Sequence, residues 1–69
     1  MLALEYMIKI REYINEAINA VDKSGSDKVD EVDIQIAFGK IDSVEFDSVA
    51  VKCLLREELN EIRNRKNES

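Results

Sequence analysis

Histidine, proline and tryptophan are absent from this chain of 69 residues, which holds a single cysteine and only two glycines. Each shortage excludes something. Without histidine the commonest general base near neutral pH is missing. Structural zinc wants four Cys or His ligands, and Cys53 is the one candidate. A lone cysteine forms no intramolecular disulfide either, so Cys53 is expected to be a structural thiol on an apolar side. There is also no glycine-rich phosphate loop and no nucleophile elbow.

Carboxylates are the abundant functional groups. The stretch "DKVDEVD" places Asp27, Asp30, Glu31 and Asp33 close in sequence, and hard cations bind clustered oxygens. Its spacing lacks the central glycine and terminal glutamate of a calcium loop. The expectation is therefore a protein without a catalytic residue, cofactor or metal site, and not an enzyme.

What is present is a chain 45% hydrophobic and 36% charged, which suits one folded domain over residues 1–69. A domain this small buries only about 60% of the surface its unfolded chain exposes. With disulfide and zinc excluded, oligomerisation is the remaining common reinforcement. The opening "MLALEYMIKI" is interrupted by Glu5 and Lys9 and is followed by no small-residue cleavage site, so the expected location is cytoplasmic, away from membranes.

Net charge is −5, and residues 27–47 alone carry seven acids against Lys28 and Lys40. That surface repels phosphate backbones, which disfavours nucleic acid along the middle of the chain. A basic cluster, Arg63, Arg65 and Lys66, closes the sequence and could contact a phosphate; such a run also complements a helix C-terminus.

Periodicity predicts a first helix from about Leu2 to Lys23. Ala3, Met7, Ile10, Ile14, Ala17 and Val21 recur at helical spacing, with Tyr6, Tyr13 and Ala20 widening the stripe. Gly25 in "KSGSD" is placed to end it. Leu2, Leu4 and Ile8 add apolar surface off the main stripe. Together with Tyr6, Met7 and Ile10 they form the expected interface, because contiguous exposed apolar patches mark interaction surfaces.

"EVDIQIAF" alternates Val32, Ile34, Ile36 and Phe38 with Glu31, Asp33, Gln35 and Ala37, the period of a half-buried strand. Residues 42–53 admit two readings. Asp42 and Glu45 form a capping-box variant, with Ile41 and Phe46 as a staple, which argues for a helix. Alternation of Val44 and Phe46, then of Val49, Val51 and Cys53 in the opposite phase, argues for a strand with a bulge near Asp47. The strand reading fits more of the window, with a loop of three to five residues beginning at Gly39. From about Leu54, a short helix follows with Leu55, Leu59 and Ile62 as a narrow stripe.

The stretch "KVDEVDIQIAFGKIDSVEFDSV" is similar, over about a third of the chain, to the helix, strand and glycine-turn segment of the hydrogenase nickel-insertion chaperones. That family's nickel ligand, a histidine directly after the initiator methionine, is Leu2 here, and its paired-cysteine zinc motifs are missing. The resemblance therefore implies no nickel or zinc function for this chain.

The expected architecture is α+β in the order α-β-β-α: a long N-terminal amphipathic helix packed on an antiparallel β-hairpin, a short C-terminal helix, and completion by oligomerisation. The expected function is a small acidic homo-oligomeric interaction module, an adaptor or regulator. It would present Glu31, Asp33, Gln35 and Glu45 on the hairpin to a basic protein partner. Two rivals are a nucleic-acid-associated regulator using the C-terminal basic helix and an enzyme using carboxylates with a divalent ion.

Overall fold

Two helices account for the structure. The computed structural model describes residues 1–23 and 28–67: α1 spans Leu2–Val21 and α2 spans Glu31–Asn67, and no strand occurs among the described residues. The turn expected at Gly25 lies outside them. At 1.5 Å per residue, α1 is about 30 Å long and α2 about 55 Å, in keeping with a longest dimension of 62 Å.

The expected β-hairpin is thus replaced by one continuous helix of 37 residues, and the expected short C-terminal helix is its last part. The start signal sits earlier than Asp42. The Asp33 N–H donates to Asp30 Oδ1 at 2.9 Å, and the Asp30 N–H donates to Asp33 Oδ2 at 3.2 Å. This reciprocal pair is a capping box, with Asp30 as N-cap and Asp33 in the role usually filled by glutamate. The first helical bond follows, Ile34 N–H to Asp30 O at 3.2 Å. Gly39 does not turn the chain: it lies within α2, where its carbonyl accepts from Ser43 Oγ at 3.3 Å. α1 ends close to the expected place, where Asp22 turns extended and its N–H donates to Ile18 O at 2.7 Å.

The helices run antiparallel, and two ion pairs give the register. Lys23 Nζ lies 3.5 Å from Asp33 Oδ2, and Lys40 Nζ lies 3.1 Å from Glu16 Oε2. The second pair is seven residues farther from the loop on each helix. Fourteen residues beyond it, Leu2 and Leu54 line one surface depression at the open end.

Between these anchors the less exposed residues form a seam. On α1 they are Ala3, Tyr6, Ile10, Tyr13, Ala17 and Ala20, at spacings of three and four. On α2 they include Asp33, Ala37, Lys40, Val44, Asp47, Val51, Leu54 and Glu58, at spacings of four and three. This is the seven-residue periodicity of helices packed along their length. Small side chains bring the backbones together: Ala3 and Ala17 are 2% and 6% exposed, and Val51 is 8% exposed. These three are the only buried apolar residues among those described.

Candidate functional site

The seam consumes little of the chain's apolar surface, and what remains defines the candidate site. In an antiparallel pair, a one-residue step from the seam turns toward the same side of the hairpin on both helices, because reversing a helix also reverses the direction of its turn. The residues that follow the seam positions therefore share one flank. From α1 they include Leu4, Met7, Ile14 and Ile18; from α2 they include Ile34, Phe38, Ile41, Leu55, Leu59 and Ile62. All ten are exposed, Phe38 by 67%.

The opposite flank differs in kind. Glu5, Lys9, Glu12 and Glu16 of α1 are all exposed there, facing the Val32, Ile36, Phe46 and Cys53 side of α2. Phe46 is 80% exposed. The first flank is mainly apolar on both helices, interrupted by Arg11 on α1 and by Glu45, Ser48 and Lys52 on α2, and it continues past the end of α1, where α2 extends alone. A two-helix layer with one such face has the form of half a helical bundle.

The expected interface residues divide between these surfaces. Tyr6 and Ile10 are half-buried in the seam, Leu4 and Met7 belong to the apolar flank, Ile8 points away from α2, and Leu2 lies at the polar flank's edge. Their proximity in sequence does not survive as one patch, because a helix distributes residues 2–10 around its whole circumference. Lys9 Nζ sits 5.9 Å from the Tyr6 ring, and Lys40 Nζ lies the same distance from the Tyr13 ring. Both rings thus interact with neighbouring cations.

The expected acidic hairpin face is not assembled. Glu31 and Glu45 fall at flank positions of α2 and Gln35 on its outer side, while Asp33 turns inward to the cap and to Lys23. The Asp30 N–H bond and the nearby Lys23 ammonium together hold the Asp33 carboxyl below its usual value of 3.8, against a smaller opposing effect of desolvation. Asp33 is therefore a structural acid.

Arg63, Arg65 and Lys66 lie on the part of α2 beyond α1. Helical spacing sets Arg63 and Lys66 near one another and turns Arg65 elsewhere, where its Nη2 lies 3.7 Å from Glu61 Oε2. The three do not make a single basic face. Cys53 is exposed on α2 rather than buried, which corrects the expected packing of its thiol. Among the described residues no three His, Cys, Asp or Glu side chains are grouped to hold a metal ion. No described helix is long and apolar enough to cross a membrane.

The flank carried a signal in the sequence. Leu4, Met7, Ile14, Ile18 and Val21 repeat at heptad-compatible intervals one residue after the seam, as do Ile34, Phe38 and Ile41. Two adjacent seams on one helix indicate two neighbours, only one of which is the chain's own second helix. No family model matches the chain, and no curated protein or solved structure matches it either.

Proposed function

We propose that this chain is a self-associating helical-hairpin interaction module whose working part is the apolar flank, and that it carries out no catalytic step. The observation that carries the reading is an exposed apolar patch on one flank: Ile14 and Ile18 on α1 lie level with Ile41 and Phe38 on α2, and Leu4, Met7 and Ile34 extend the same flank along the two helices. Covering such a surface removes apolar area from water at about 25 cal/mol per Å². The hairpin's own seam buries three small apolar side chains, so a second layer contributes much of the stabilisation that a chain of this size needs.

Acidic composition fits the same role. A net charge of −5 keeps a protein with this much apolar surface soluble. Glu31 and Glu45 stand fourteen residues, about 21 Å, apart along α2 and are not gathered into a docking face for a basic protein, so the proposed partner surface is the apolar part of the flank.

The test is the concentration dependence of thermal unfolding. If folding and association are coupled, Tm rises with protein concentration. Ile41→Glu on the apolar flank is expected to abolish that rise, while Phe46→Glu on the other flank is expected to preserve it. A Tm that is the same at all concentrations for the unmodified chain would contradict the proposal.

A further inference from the structure

Resting on that self-associating reading, the pattern of side chains along α2 specifies how two copies meet. The flank positions of α2 are palindromic. Read forward from Glu31 and backward from Lys66, the stripe gives Ile34 against Ile62, Phe38 against Leu59, and Ile41 against Leu55. The two readings then bring Glu45 against Lys52 and converge on Ser48. At every step they remain level to within one residue, about 1.5 Å along the helix.

We infer that two copies pack flank to flank about a two-fold axis that passes Ser48 and runs across the helices, so that α2 lies antiparallel on the partner's α2. Apolar residues then meet apolar residues at both ends of the stripe. Its two central charges meet their opposites, Glu45 facing the partner's Lys52 and Lys52 facing the partner's Glu45. Glu31 and Lys66, the outermost positions of the stripe, are matched in the same way. Ser48, half-buried and small, allows close approach at the axis.

Charge at the helix ends selects the same direction. α2 begins with Asp30, Glu31 and Asp33 and finishes with Arg63, Arg65 and Lys66. Antiparallel packing sets the acidic end of one helix beside the basic end of the other, whereas parallel packing sets like beside like. The length of α2 also finds a use. Val49 is the midpoint of Glu31–Asn67, so an axis at Ser48 overlaps α2 with its twin along nearly its full length. The segment that extends beyond α1 is thereby covered by the partner's α2 rather than left in water. On α1 the same axis falls level with Ile8, which sets Met7 near the partner's Met7 and Leu4 near the partner's Arg11.

The axis can be located by crosslinking in full-length protein. In a Cys53→Ser background, Ser48→Cys places two thiols at the two-fold, and mild oxidation is expected to yield a covalent dimer. Native Cys53 serves as the contrast: five residues from the axis on each copy, the two thiols stand about 15 Å apart along the helices and on the far flank. That is beyond the ~7 Å Cα separation a disulfide spans. Ready crosslinking through Cys53, or none through Ser48→Cys in a protein that is dimeric by light scattering, would overturn the inference while leaving self-association intact.

Charge reversal supplies a second readout. Glu45→Lys alone and Lys52→Glu alone each oppose like charges twice per dimer, and each is expected to weaken dimerisation roughly tenfold. The double variant Glu45→Lys/Lys52→Glu restores both pairs and is expected to recover the original dissociation constant. Equal dimerisation in all four proteins would overturn the register. A monomeric unmodified chain would instead overturn the reading on which it rests.

Discussion

Asp30 and Asp33 cap one another at the start of α2, each carboxylate accepting from the other's backbone N–H. Since Asp33 also lies 3.5 Å from Lys23 at the end of α1, one residue ties the start of the second helix to the end of the first. Removing the N-cap carboxylate by Asp30→Ala is expected to cost about 1 kcal/mol of stability, read as a lower midpoint in urea unfolding. An unchanged midpoint would show that the cap contributes nothing.

The same pair sets an acid dependence. Asp33 is held below 3.8 by the Asp30 N–H and by Lys23. A carboxyl whose pKa falls on folding stabilises the fold fully above its unfolded value, and that contribution is lost as pH falls through the folded value. Stability is therefore expected to fall below about pH 4, and Asp33→Asn is expected to flatten part of that fall. Identical pH profiles for the two proteins would contradict the assignment.

Gly39 is a weak point in a long helix. A Cβ added there meets no atom within 4 Å, and alanine is favoured over glycine in a helix interior by about 1 kcal/mol. Gly39→Ala is expected to stabilise the protein by about that amount. A turn at this position, as expected from the sequence, would instead make alanine neutral or harmful. The substitution thus tests the helix itself.

Val51 is the most buried large side chain of the seam on α2. Truncating it by Val51→Ala is expected to cost about 1–2 kcal/mol, and the exposed Val49→Ala much less, as measured by chemical unfolding. Equal costs would mean that the seam is placed wrongly.

α1 was legible in the sequence because its apolar stripe coincides with its packing. Ala3, Ile10 and Ala17 belong to the seam and Met7, Ile14 and Val21 to the adjoining flank, so seam and flank merge into one broad face. α2 was misread for the opposite reason. Its seam holds Asp33, Lys40 and Asp47, while apolar residues stand on both sides of it: Val32 and Ile36 on one flank, Ile34 and Phe38 on the other. A helix with a polar seam between two apolar flanks alternates apolar and polar residues locally. Over eight residues that is the same pattern as a strand. The distinguishing features lay outside the window, in the Asp30 and Asp33 cap and in the absence of proline from residue 31 to residue 67. The candidate flank was legible only in part. Leu4 and Met7 were among the expected interface residues, whereas Phe38 was assigned to a strand and Ile41 to the loop of a hairpin that does not form.

The most direct test of the central claim is the absolute mass of the unmodified protein, measured by light scattering on a sizing column across a concentration series. The account predicts a species of twice the 7.9 kDa chain mass at micromolar concentration. A single species of 7.9 kDa at every concentration would contradict it.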